Sequence, residues 1–115
     1  MQLTEIAFFT IDVTAQVDFY RRLLDRDPAV ASTDMAIFMV GDTKLFIHRT
    51  YSPAPGDLPP ENHTAFAVAD LDAVCRALVA RGLTLEVAPN DYYWGRSAYL
   101  RDPDGHLIEL TQLSS

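Results

Sequence analysis

Superposing Asp12 on Asp70 aligns two stretches of this chain in which a strand-like run gives way to helical periodicity, and the same shift lays Glu5 over His63. In the first stretch, residues 3–11 read as a strand. Val13, Val17, Tyr20 and Leu24 then recur on one face of a helix that begins near Asp12. After Asp27-Pro28 come a short extended piece and strands at about 35–40 and 43–49, joined by the Gly41-Asp42 turn. The second stretch repeats the order. Residues 63–69 form a strand, Asp70 caps a helix, Leu71, Val74, Cys75, Leu78 and Val79 make its apolar stripe, and Gly82 stops it. Strands at about 83–88, 96–101 and 106–112 follow, the last two joined by Asp102-Pro103-Asp104-Gly105. Aligning the turns Gly41-Asp42 and Asp104-Gly105 lays Phe46 over Glu109. The expected fold is therefore α+β: two paired β-α-β-β-β modules, 1–50 and 62–115, forming a U-shaped mixed-sheet cup with the helices outside. The segment 51–61, rich in proline, reads as the linker between them.

A chain of 115 residues fits one domain, 1–115, with enough length for a core that needs no disulfide or metal staple. Sixteen acidic against nine basic residues give a net charge of −7, and no Lys/Arg cluster is present to neutralise phosphates, which argues against nucleic-acid binding. No apolar run approaches the roughly 18 residues that span a bilayer, and the N-terminus lacks the pattern of a secretory leader. A cytoplasmic location with no membrane partner is expected. Cys75, the single cysteine, falls in the apolar helical stripe and reads as a buried reduced thiol.

Alternation along each strand sorts the side chains into two faces. Ile6, Phe8, Leu45, Ile47, Phe66, Val68, Ala98, Leu100, Ile108 and Leu110 share the face that the helices should cover. Glu5, Ala7, Phe9, Phe46, His48, His63, Ala65, Ala67, Ser97, Tyr99, Arg101, Leu107, Glu109 and Thr111 share the other. Alanines beside Glu5 and His63, with Phe9, Phe46 and Tyr99 as walls, describe a pocket. The alternative is a face that is simply solvated.

Asp12 followed by Phe19-Tyr20 and Leu23-Leu24, the strand NHTAFAVAD with His63, and SAYLRDPDGHLIEL with Glu109 resemble the vicinal-oxygen-chelate superfamily over essentially the whole chain. That superfamily includes glyoxalase I, fosfomycin-resistance transferases, extradiol dioxygenases and bleomycin-resistance proteins. The resemblance implies metal ligands on the first and last strands of each half, which here are Glu5, Phe46, His63 and Glu109. His63 and Glu109 match outright. Glu5 stands where many members carry His or Gln, and Phe46 replaces the glyoxalases' fourth, acidic ligand. A divalent ion held by Glu5, His63 and Glu109 would keep open positions for substrate oxygens. With Glu5, His48 and Tyr99 as catalytic groups, and His48 as a base or a replacement ligand, the chain would be a lyase, isomerase or dioxygenase-like enzyme acting on a small oxygenated molecule.

Each assignment has a plainer counterpart. Glu5 also reads as an exposed carboxylate near the start of the chain, His63 and Glu109 as an ion pair inherited from the fold, and His48 as a strand histidine bonded to a neighbour. Asp91-Tyr92-Tyr93-Trp94-Gly95-Arg96 brings three consecutive aromatics to the start of a strand, where Tyr93 and Trp94 line a substrate pocket with Phe9, Phe46, Ser97 and Arg101, or else cover the sheet end or a dimer contact. Arg96 and Arg101 meet an anionic substrate or are solvated surface, and His106 is structural. A metal-free protein that sequesters a drug or metabolite, and a regulatory partner domain, are the competing functions. By the same resemblance a homodimer is expected.

Overall fold

The computed structural model describes residues 1–113. The fold is α+β, with eight strands and two helices among the described residues. It divides into two compact units, Glu5–Asn62 and, with Met1–Thr4, the chain from His63 onward.

The first unit contains most of β1 (Gln2–Thr10), then α1 (Val13–Leu24), β2 (Val30–Ala31), β3 (Met35–Val40) and β4 (Thr43–Arg49). Its strands run in the order β2-β3-β4-β1, with β1 parallel to β4 and the other pairs antiparallel. Asp12 caps α1 by accepting from the Ala15 N–H at 3.0 Å, and Asp25 ends the helix in the left-handed region at φ 53°. Val13, Val17, Tyr20 and Leu24 pack with Ile6, Phe8, Phe38, Leu45 and Ile47, as the alternation requires. Within the linker, Tyr51 donates its hydroxyl to the Leu58 carbonyl, and the Ala54 N–H donates to the Asp57 carboxylate.

The second unit holds β5 (His63–Val68), α2 (Leu71–Ala80), β6 (Leu85–Tyr92), β7 (Gly95–Arg101) and β8 (Leu107–Gln112), in the order β5-β8-β7-β6. Asp70 caps α2 through the Ala73 N–H at 3.1 Å. Leu71, Val74, Cys75 and Leu78 pack with Phe66, Val68, Ala98, Leu100, Ile108 and Leu110. Val79, expected in that stripe, is instead exposed: eight residues beyond Leu71 it lies about 80° round the helix, at the edge of the buried arc. Burial pushes the Cys75 thiol above its ordinary pKa, and the Asp72 charge adds to the effect, so it is the inert buried cysteine that its helical position predicts.

The expected strand at 83–88 is the element that shifts most. It runs from Leu85 to Tyr92 and pairs with β7 down to Tyr92 opposite Gly95, with register irregularities between Leu85 and Val87 and between Val87 and Asn90. Pro89 and Asn90, just past the expected end, lie within this strand. On an edge strand with bulges, a residue without an N–H is accommodated and pairing resumes beyond it.

The two registers reproduce the internal repeat. β1 pairs with β4 so that Ala7 faces Phe46, and β5 pairs with β8 so that Ala65 faces Glu109. The two sequence alignments, made separately on the strand-to-helix corners and on the hairpin turns, thus meet at one pair of equivalent positions. Among the described residues, no helix is long and apolar enough to cross a membrane.

Candidate functional site

Parallel pairing of β5 with β8 and antiparallel pairing of β8 with β7 bring His63, Glu109, Ser97 and Tyr99 onto the face opposite α2. His63 Nε2 lies 3.1 Å from Glu109 Oε1, and their side chains are 13% and 8% exposed. The Ser97 hydroxyl, fully buried, donates to Glu109 Oε2 at 2.9 Å, and its oxygen accepts from Trp94 Nε1–H at 3.3 Å. Both carboxylate oxygens therefore have assigned neighbours, and no buried side-chain polar atom among the described residues lacks a partner. Tyr99, directly opposite Glu109 in the ladder, sets its ring edge-on to the His63 imidazole at 6.5 Å.

The aromatics after Asp91 separate by role. Tyr92 closes β6, stacks on Trp94 at 4.5 Å with a 3° interplanar angle, and meets Tyr99 edge-on. Tyr93 sits in the hairpin turn, 97% exposed, with its ring edge against Trp94. Arg101 pairs with Glu86 at 2.9 Å and donates to the Gly105 carbonyl. Arg96 binds Asp72 through two nitrogens and Asp91 through a third contact, clamping the β6–β7 end to the start of α2. His106, expected to be structural, joins Asp102 at 2.8 Å across the turn.

In the first unit, His48 has the rings of Phe9, Phe46 and Tyr51 at 5.5–6.3 Å. Its Nδ1 lies 2.7 Å from the Arg49 carbonyl. A carbonyl only accepts, so Nδ1 carries the proton and Nε2 is the basic nitrogen. Glu5 is on β1, opposite Lys44 of β4.

The donor set of the second unit suits a metal. Two ligand atoms about 2.1 Å from one ion and at right angles are about 3.0 Å apart, close to the 3.1 Å between His63 Nε2 and Glu109 Oε1. One imidazole with carboxylate oxygen matches hard and borderline divalent ions.

Residues 2–110 match the family model described as "Glyoxalase/Bleomycin resistance protein/Dioxygenase superfamily". The chain belongs to that superfamily. It is 26% identical over 119 residues to metallothiol transferase FosB of Shouchella clausii (strain KSM-K16), an alignment covering 94% of this chain and 77% of the relative. Among solved structures it resembles Streptomyces coelicolor methylmalonyl-CoA epimerase in complex with 2-nitronate-propionyl-CoA, with a TM-score of 0.72, 21% identity, and coverage of 100% and 96%. It also resembles a superfamily member from Vibrio splendidus 12B01, with a TM-score of 0.71, 12% identity, and coverage of 94% and 96%. These structural likenesses establish the fold.

Strand alternation placed Ser97 on the correct face but missed its bond to Glu109. Tyr92, grouped in the sequence with Tyr93 and Trp94 at the start of a strand, instead ends the preceding one. The signal for Ser97 is its position two residues before Tyr99, which makes it the diagonal neighbour of Glu109 across the β7–β8 ladder. The position of Tyr92 becomes visible only once β6 is extended past Pro89.

Proposed function

We propose that this chain is a divalent-metal-dependent enzyme of its superfamily, acting as a lyase, isomerase or dioxygenase-like catalyst on a small oxygenated substrate. The observation that carries the reading is the buried His63–Glu109 pair, set at a separation that one ion spans. Glu5, which the repeat equates with His63, is the proposed third ligand, giving a neutral Glu₂His set. The name of FosB, a metallothiol transferase, supports a metal in this family. Once bound, such an ion would polarise a substrate oxygen and stabilise developing negative charge there.

The chain's own residues do the rest. Ser97 holds the Glu109 carboxylate, and Tyr99 lies edge-on beside His63. His48, with Nδ1 committed to a backbone carbonyl, offers Nε2 as the proposed proton acceptor. Phe9, Phe46 and the Tyr92–Trp94 stack are the proposed apolar walls for the substrate, with Tyr93 and Arg101 at its rim. Modules 1–50 and 62–115 act as one domain in this reading, and the protein works as a cytoplasmic homodimer on a small molecule.

A metal-free drug- or metabolite-binding protein is the second reading. It is favoured by the flat Tyr92–Trp94 stack, half-exposed at Trp94 and suited to a planar ligand. Metal content and divalent-ion calorimetry on wild type, His63→Ala and Glu5→Gln separate the two. One ion per chain, lost in His63→Ala, supports the enzyme. No binding at micromolar ion in the wild type refutes it and leaves the metal-free reading.

A further inference from the structure

We propose that Ser97, oriented by Trp94, is a positioning residue that restricts Glu109 to one-oxygen coordination and so selects small divalent ions over calcium. The inference rests on the metal reading above and adds a determinant of which ion is held.

The hydrogen-bond directions have a single solution. An indole N–H only donates, so Ser97 Oγ accepts from Trp94 Nε1 at 3.3 Å. A carboxylate only accepts, so the one hydroxyl hydrogen of Ser97 goes to Glu109 Oε2 at 2.9 Å. Oε1 is then the oxygen left for an ion, and it is the one that faces His63 Nε2. Two-oxygen coordination would draw Oε2 away from Ser97. Ser97 is fully buried, and its hydroxyl would lose a charge-assisted bond with no water to replace it.

Denticity and ion size are linked. Calcium takes six to eight oxygens at about 2.3–2.6 Å and readily accepts both oxygens of one carboxylate, whereas smaller ions bind at about 2.0–2.2 Å with fewer ligands. Holding Oε2 on Ser97 therefore penalises calcium more than manganese or zinc. Trp94 contributes by keeping the Oγ lone pair engaged, which aims the hydroxyl hydrogen at the carboxylate.

The test is calorimetric titration of the full chain with Mn²⁺ and with Ca²⁺, on wild type, Ser97→Ala and Trp94→Phe, with melting temperatures recorded alongside. Ser97→Ala should lower the ratio of Mn²⁺ to Ca²⁺ affinity about tenfold, the lower end of what loss of a group supporting a ligand produces. Trp94→Phe should shift the ratio the same way by less. Equal loss for both ions, or an unchanged ratio, overturns the inference. If Ser97→Ala does not fold, Trp94→Phe decides by the same criterion, because Trp94 is half-exposed and its removal spares the core. A wild type that binds neither ion overturns the metal reading, and this inference with it. A wild type that binds manganese while the variants keep its ion preference overturns the inference alone.

Discussion

Replacing Glu109 by Gln separates a group kept for chemistry from one kept for folding. The Glu109 side chain is 8% exposed and holds two contacts, Ser97 on Oε2 and His63 on Oε1. Gln fills the same volume. Its amide oxygen can accept from Ser97 while its NH₂ donates to His63 Nε2 in the other tautomer, so both contacts of the carboxylate keep a counterpart. The substitution weakens charge-assisted bonds to neutral ones, a loss of about 1–2 kcal/mol. It also relieves part of the cost of keeping a carboxylate out of water, which opposes that loss and offsets most of it. The metal-free protein should therefore change in stability by no more than about 1 kcal/mol, in either direction. Ion binding behaves differently: at an ion concentration about 100 times its dissociation constant, wild type gains about 2.7 kcal/mol. For a domain of this size that is roughly a 10 °C rise in Tm. Glu109→Gln should abolish that rise. Thermal melts of both proteins, with chelator and with ion, read the two quantities together. A drop of 3 kcal/mol or more in the chelated variant would make the pair structural. An undiminished rise with ion would remove Glu109 from the ligand set. Either result refutes the reasoning.

Two further predictions concern the scaffold. Asp12→Ala and Asp70→Ala each remove a cap bond to a backbone N–H and should each cost about 1 kcal/mol in denaturant unfolding; unequal effects of more than twofold would show that the two corners are not energetically equivalent. Asp72 is held below its ordinary pKa of 3.8 by its hydrogen bond to Arg96, and Asp102 by the His106 backbone N–H and then its imidazole. A carboxyl whose pKa is lower folded than unfolded adds stability that is fully present above the unfolded value and is lost as pH falls through the folded one. Melting temperature should therefore decline below about pH 4, and less steeply in Asp72→Asn and Asp102→Asn; parallel acid limbs in wild type and variants would refute the assignment.

Much of this was legible in the chain. Period-2 alternation correctly assigned ten apolar strand residues to the helix-covered side, and the aspartates at the two corners marked both helix starts. These signals are local: a cap bonds within three residues, and a strand's face is set by its own pleat. The sequence also singled out His63 and Glu109, because the family's pattern points to those positions. It misjudged Val79 and the far end of β6, where the outcome depends on the edge of a buried arc and on which strand lies at the border of a sheet.

What the chain could not fix by itself is which atoms meet. That Glu109 spends one oxygen on Ser97 and turns the other to His63, and that Trp94 stands behind the serine, follows from the β5–β8 and β8–β7 registers and from the two-residue turn after Tyr92. A shift of one residue in either ladder would turn these side chains to the opposite face without altering a strand's composition. Composition and periodicity therefore determined the elements and their faces, while tertiary pairing decided the bonds on which the proposed chemistry rests.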